Sequence, residues 1–452
     1  MIDDTGFSVS VRSPDTTLYI HGVSIDSRTV KQDQLFIPIV RVDDGHNYVS
    51  QAFENGAVAS LWQADHVPYP EGLPLIIVKD TLEALHKLAK SYRKQLSSKV
   101  VGITGSNGKT TVKDLVASIL GTAYKVQKTF GNLNGEYGLP LSLLEVEEDT
   151  DIIVLEMGMS QAGEMKILSE IAKPDVAVIT MIGVSHLSQL GSREGIAIAK
   201  LEILEGLNPC GAIVINGDEP LLTHGIAGKE LLETLSVVRF GEAQSNDYYP
   251  LIIEQNETGL SFTLNRYSDE IPVSLLGKHN VLNALAAIAV ADRFGVAEQG
   301  VREGLKQIEM TGMRMERIPS AKGFLIINDA WNASPVSMKA AIETVAVMDG
   351  FHRKILILGD MLELGEQENE FHMEIAKSID PSTFHSVYTI GQLSSIISDT
   401  LDSLAFKGET RHFTSKDDLI EVCRQLLAKD DVVLVKGSRG LKLEDICIAL
   451  SN

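Results

Sequence analysis

Lys109 and Thr110 stand near the end of the run Thr104-Gly105-Ser106-Asn107-Gly108-Lys109-Thr110-Thr111. Gly-Lys-Thr after a glycine turn can hold a nucleoside triphosphate. Gly105 and Gly108 let the backbone turn and approach an anion closely. The lysine reaches the terminal phosphates, and the threonine hydroxyl can serve Mg2+. Ser106, Asn107 and Thr111 complete the loop. The spacing is a variant one, because the usual first glycine falls at Ile103 and the nearest glycine, Gly102, is one residue early. Context decides whether such a loop binds phosphate. The apolar run Lys99-Val100-Val101-Gly102-Ile103 precedes it, and Val112 to Leu120 follow with apolar residues at helical spacing. Strand, loop and helix in that order aim free N–H groups and a positive helix end at the anion.

Further candidates lie at the ends of other apolar runs. Glu156 closes Asp151-Ile152-Ile153-Val154-Leu155, placed to hold Mg2+ or to face solvent as a strand-end acid. His186 follows the strand ending at Thr180, again at a carboxyl edge, where a structural or exposed histidine is the alternative. Lys200 lies in the apolar helix Glu194 to Leu204; it is either an inward ammonium that needs a partner or a lysine whose head reaches water. Asn280 and Asn283 share a helix face and could read an adenine edge, or Asn280 could simply cap the helix. Arg314, at a domain junction, either reaches across to phosphate or sits on the surface. Asp329, in Asn328 to Pro335, is placed to accept from a ribose hydroxyl. The runs Gly359 to His372 and Val435 to Gly440 also follow strands, so three polar loops share one sheet edge.

These residues need a scaffold of several domains, since 452 residues exceed one hydrophobic core. The expected fold is α/β in three parts. Residues 1–97 form a small α/β domain; 98–311 form a central phosphate-loop domain with a doubly wound, mostly parallel sheet. Residues 312–452 form a Rossmann-like domain without a dinucleotide motif. Apolar content of 44% and charged content of 22% are ordinary for a globular enzyme. The net charge of −21 argues against nucleic acid and anionic membranes. No apolar run is long enough to span a bilayer, and the acidic Met1-Ile2-Asp3-Asp4 is unlike a signal peptide. Cys210, Cys423 and Cys447 lack metal spacing, read as buried small hydrophobes, and suit a reducing cytoplasm.

The motifs TGSNGKTT, LEMG, SHLSQLGSREGIAIAKLEI, GKHNVLNALAA and MRMERI stand in the order found in Mur ligases, and the chain resembles that family over nearly its whole length. The runs DSRTVKQDQLFIPI, GHNYVSQAFENGA, GNLNGEYGLPLSLL, DAWNASPVSMKAAI and GDMLELGEQENEFHMEI, with VKGSR, are similar to the member that handles D-alanyl-D-alanine. The resemblance implies an ATP-dependent amide-bond ligase. It would join D-alanyl-D-alanine to UDP-N-acetylmuramoyl-tripeptide through an acyl phosphate, as a cytoplasmic monomer. It implies that Gly105 to Thr111 hold ATP, with Asn280 and Asn283 beside adenine, Arg314 on phosphate and Asp329 on ribose. Thr110 and Glu156 would hold one Mg2+; His186 and a carbamylated Lys200 would serve a second. Lys109, Glu156, His186 and Lys200 would carry the chemistry. Ser27, Arg28, Asn132 and Asn134 would meet the UDP-sugar, with residues 1–97 as its domain, and Asn332 the dipeptide, with residues 312–452 as its domain. Gly135, Tyr137 and Trp331 depart from the pattern, which puts asparagine, isoleucine and tyrosine there. Another ligase of this architecture, such as the enzyme adding the third peptide residue or a folylpolyglutamate synthetase, and a non-catalytic nucleotide-binding paralogue are the alternatives.

Overall fold

The computed structural model describes residues 10–12, 18–227, 235–255 and 259–452. Three α/β units follow one another. In the first, strands Val23–Ser24, Gln34–Phe36, Ala57–Gln63 and Leu75–Val78 lie side by side in parallel, and Ser10–Arg12 joins the far edge antiparallel. The strands are short, and two small clusters, one around Leu35, Ile37 and Leu85 and one around Phe36, Trp62 and Leu75, provide the core. The helix Thr81–Gln95, capped by Asp80 on Glu83 N, leads into the second unit.

The second unit is a six-stranded parallel sheet. Its order is Ser236–Phe240, Ala212–Asn216, Val176–Ile179, Lys99–Thr104, Ile152–Glu156 and Val126–Lys128. The strands are apolar on both faces because helices cover both. The chain enters at Lys99–Thr104, runs to the edge strand Val126–Lys128, returns to Ile152–Glu156 beside the entry strand, then crosses to the other side. Thr104 therefore ends at the point where the winding reverses, which is where an open α/β sheet leaves a crevice. On one face the helix Lys109–Leu120 packs on the alanine-rich helix His279–Arg293 and on Glu298–Lys306. The approach is close: a Cβ on Gly304 would come within 2.5 Å of Ile119 Cα.

An unexpected element follows. Pro250–Gln255, Leu260–Leu264 and Ile271–Val273 form a separate antiparallel sheet, whose Phe262, Leu264 and Ile271 join the core under the phosphate-loop helix.

The third unit has the order Glu316–Pro319, Leu325–Asp329, Asp431–Lys436, Arg353–Gly359, Ser386–Ile390 and Glu409–Phe413, with only the first strand antiparallel. Strands Leu325–Asp329, Asp431–Lys436 and Arg353–Gly359 are neighbours, so the loops after them emerge together. Cys423 and Cys447 are buried in this unit's core, where burial pushes their thiols up to about 12. Cys210 departs from expectation: it is exposed, in the turn before Ala212–Asn216. Among the described residues no helix is long and apolar enough to cross a membrane.

One ion pair anchors this last sheet. Asp431 is buried and accepts from Arg353 Nε (3.0 Å), Arg353 Nη2 (2.6 Å) and Ala428 N (2.8 Å). Asp431→Ala leaves the Ala428 N–H without its acceptor and the guanidinium with Leu426 O (2.7 Å) and some access to water. The expected loss is about 3 kcal/mol. Urea unfolding of the variant measures it; a loss below about 1 kcal/mol would show that the pair is dispensable.

Candidate active site

The phosphate loop is shaped by its glycines. Gly105 has φ +150°, and a Cβ there would overlap Thr180 Oγ1 at 1.8 Å. Gly108 has φ +81° and caps the helix that begins at Lys109. A Cβ on Gly108 would meet Asn283 Oδ1 at 2.5 Å. Asn283 is itself held by Asn280, whose Oδ1 accepts from Asn283 Nδ2 (2.8 Å). Asn280 is buried, donates to Leu276 O (2.7 Å), and is the second residue of its helix, so it is not the cap; Lys278 is. Its amide is thus engaged in holding Asn283 rather than open to a ligand. Thr180 Oγ1 donates to Asn107 O, and Ser106 N donates to Met181 O (2.9 Å), tying the loop to the next strand. Among the described residues the hydroxyls of Thr104 and Ser106 are buried without partners. Thr111 is half-buried behind them.

Gly108→Ala should weaken nucleotide binding at least tenfold, because left-handed backbone costs an alanine about 1–2 kcal/mol and the methyl group pushes Asn283 aside. Equilibrium binding of Mg·ATP to the variant checks this; affinity within twofold of the unaltered protein would contradict it.

Beyond the loop, four side chains form one hydrogen-bonded chain. Thr110 Oγ1 donates to Glu156 Oε2 (2.7 Å) and accepts from Arg314 Nη2 (2.6 Å). Glu156 Oε1 accepts from Asn134 Nδ2 (2.8 Å). Lys113 was not singled out by its sequence context, yet it is fully buried with Nζ 4.0 Å from Glu156 Oε2 and 3.5 Å from Asp114 Oδ1. Asp114 also receives Lys128 Nζ (2.7 Å) and Thr311 N (2.8 Å). A charged Lys-Asp pair within an apolar helix was the available signal.

Lys109 and Lys200 form the second group. Lys109 Nζ folds back onto Gly105 O (2.7 Å). Burial lowers its pKa and Arg314 lowers it further, while Glu156 opposes them. Lys200, on the helix Arg193–Leu201, is buried, and burial drives its amine well below the ordinary lysine range, with Lys109's charge adding to the effect. It reaches inward; its head does not escape to water. His186 has φ +62° and also feels the charges of Lys109 and Lys200; burial is the main reason its pKa is lowered. Its Nδ1 lies 2.8 Å from Glu363 Oε2, a close approach without hydrogen-bond alignment.

The third unit presents its loops to this edge. Asn107 Nδ2 donates to Ser334 Oγ (3.0 Å), the cap of the helix Pro335–Ala346. Asp329 accepts from Met315 N (3.1 Å) and pairs with buried Lys436, which also donates to Asn332 O (3.0 Å). The Asn332 side chain is exposed. His372 is buried, accepts from Met361 N (3.1 Å) and bonds Glu368 O (2.6 Å), which fixes the loop carrying Glu363. Glu363, Ser334, Lys436 and Lys113 are the additions that sequence alone did not supply.

Other expected residues stand apart. Ser27 Oγ donates to Gln51 Oε1 (2.7 Å), and exposed Arg28 pairs with Asp26 (2.7 Å), both in the first unit. Asn132 is exposed. Asp44, His46 and His66 also cluster in the first unit. His46 is structural: Gln63 N donates to its Nε2 (3.3 Å), leaving the proton on Nδ1 for Asp44 Oδ1 (2.7 Å). Its ring stacks on His66 (4.2 Å), whose Nδ1 lies 3.6 Å from the other oxygen of the same Asp44 carboxylate.

A phosphate loop, a carboxylate on the adjacent strand and a buried lysine, closed over by a third domain, define an ATP-dependent ligase architecture. The chain belongs to the Mur ligase family. It matches the family's catalytic domain over residues 19–93, the Mur ligase middle domain over 103–291 and the Mur ligase glutamate ligase domain over 313–439. It is 46% identical over 428 residues to the UDP-N-acetylmuramoyl-tripeptide–D-alanyl-D-alanine ligase of Bacillus subtilis, covering 94% of this chain and 92% of that one. Among solved structures it is similar to a MurF from Acinetobacter baumannii (TM-score 0.85, 29% identity, 97% and 94% of the two chains). It is similar also to the MurF ligase from Thermotoga maritima solved in complex with ADP (TM-score 0.82, 28% identity, 96% and 98%).

Proposed function

We propose that this chain joins D-alanyl-D-alanine to the C-terminal carboxylate of UDP-N-acetylmuramoyl-tripeptide, with ATP converted to ADP and phosphate, in peptidoglycan precursor synthesis. The observation that carries the reading is the convergence of Lys109, Thr110, Glu156 and Lys200 at the carboxyl edge of the central sheet, in a chain so similar to ligases of that name.

ATP would lie on the loop from Gly105 to Thr111, with its phosphates at the positive end of the helix Lys109–Leu120. The buried, unpartnered Ser106 hydroxyl fits an anion there. Asn283, fixed by Asn280, would lie beside the base. The tripeptide carboxylate then attacks the γ-phosphorus, the bond to the β–γ bridging oxygen breaks, and ADP leaves. Attack by an amine on a free carboxylate would have to expel oxide, whereas an acyl phosphate expels phosphate. Lys109 and Arg314 offset the negative charge that gathers as carboxylate meets triphosphate. The dipeptide's neutral amine attacks the acyl carbon, the carbon–oxygen bond breaks, phosphate leaves and the amine sheds its proton. The domain contact Asn107–Ser334 keeps the third unit over the loop, orienting the reactants and excluding water from the acyl phosphate.

The donor set suits Mg2+: Thr110 and Glu156 already share a hydrogen bond and would hold one ion, with His186 and Lys200 serving a second. Bound Mg2+ would supply positive charge against the triphosphate. Lys200 fits such a site only as an anion. A buried amine that is neutral can add CO2 to give a carbamate and a proton, which turns an unfavourable lysine into a carboxylate-like ligand. The UDP moiety would lie against the first unit near Ser27 and Arg28, the sugar phosphates near Asn132 and Asn134, and the dipeptide near Asn332. We place the protein in the cytoplasm as a monomer.

Hydroxylamine trapping and oxygen-18 transfer test the route. Turnover should form an acyl hydroxamate and carry label from the carboxylate into phosphate. Failure of both would rule out the acyl phosphate.

A further inference from the structure

Arg314 reaches the phosphate loop from a strained position. Met313 and Met315 on either side both have left-handed backbone, with φ +61° and +51°. Among the described residues its guanidinium makes one hydrogen bond, from Nη2 to Thr110 Oγ1, while Nε is buried without a partner. One bond leaves the plane of a guanidinium free to turn. The aromatic ring of Trp331 removes that freedom: Arg314 Cζ lies over the indole, 5.4 Å from its centroid. A second guanidinium, that of Arg439, also lies over the same ring at 4.8 Å. Arg439 is tied to Glu444 and touches Met313 Sδ (3.7 Å), so the indole is held from the loop after the last strand of the sheet.

We propose that Trp331 is a positioning residue for the nucleotide: its ring, held by Arg439, aims Arg314 at the Thr110 end of the phosphate loop. The inference rests on the reading that this loop binds ATP. It gives a role to a side chain that lies against two guanidinium groups. It also predicts which replacements are tolerated, because any aromatic face can stack on a guanidinium and an aliphatic side chain cannot.

The test is Mg·ATP binding to the full-length protein by calorimetry, with steady-state kinetics alongside. Trp331→Leu should weaken Mg·ATP binding about tenfold, equivalent to about 1.4 kcal/mol, and raise the KM for ATP more than it lowers kcat. Trp331→Tyr and Trp331→Phe should stay within threefold of the unaltered protein. In an Arg314→Ala background, Trp331→Leu should add less than a further twofold. Additive losses in that background would overturn the inference. So would tenfold weaker binding by Trp331→Phe, which decides the matter if the leucine variant does not fold. A rise confined to the KM for D-alanyl-D-alanine, with ATP binding intact, would place Trp331 on the wrong substrate and overturn it as well. Absence of Mg·ATP binding by the unaltered protein would overturn the ATP reading itself; equal binding by Trp331→Leu overturns only the inference.

Discussion

Lys109→Met should lower kcat/KM about 10³-fold, which is about 4 kcal/mol of transition-state stabilisation. Lys109 opens the helix Lys109–Leu120, and its ammonium now rests on Gly105 O. A triphosphate on the loop would compete for that ammonium and win, because a carbonyl dipole attracts it less than several phosphate charges do. Burial already depresses the pKa of Lys109, with Arg314 adding to the effect. Bound phosphate reverses that direction by favouring the charged form. Methionine keeps the length and the apolar stem, so packing changes little and the loss reports on charge. Steady-state kinetics with saturating acceptor, on protein whose melting temperature is unchanged, measure it. Activity within tenfold of the unaltered enzyme would show that the loop serves another purpose.

Lys200→Ala should lower kcat about 10²-fold, and added acetate or bicarbonate should change that loss. The lysine is buried beside Lys109 and His186. Removing it deletes whichever ligand it provides; a small carboxylate diffusing into the space supplies the missing anion in part. The sign of the pH effect follows from the chemistry. Carbamate formation needs the neutral amine and releases a proton, so it is favoured as pH rises and reversed as pH falls. Bicarbonate should therefore stimulate CO2-stripped enzyme containing Lys200, and less strongly at the acid end of the activity range, where protonation of the amine opposes the carbamate. Full activity in the alanine variant would remove the carbamate from the account.

The residues legible in the sequence were those fixed by local order. Gly105 to Thr111 declared themselves because strand, loop and helix are contiguous, and the helix that begins at Lys109 follows directly from the turn at Gly108. Glu156 and Lys200 were marked by polar atoms placed in apolar runs. What escaped depended on contacts between distant segments. Ser334 meets Asn107 across 227 positions of chain, and Glu363 reaches His186 from another domain. For Asn280 the sequence leaves a cap as the alternative to an adenine contact, because asparagine favours that place, but Gly277, with φ +91°, starts the turn earlier and puts Asn280 inside the helix. The small antiparallel sheet was also missed. Leu260–Leu264 alternates buried and half-buried residues as a one-sided strand should, but the flanking strands carry weaker signals, with a bulge between Pro250 and Ile252.

The most direct measurement is phosphate release from ATP by the purified protein, with each substrate present or withheld. The account predicts sustained release only when UDP-N-acetylmuramoyl-tripeptide and D-alanyl-D-alanine are both present, with one amide product formed per phosphate. Release that ignores the dipeptide, or that proceeds instead with a single amino acid on a UDP-dipeptide acceptor, would contradict it.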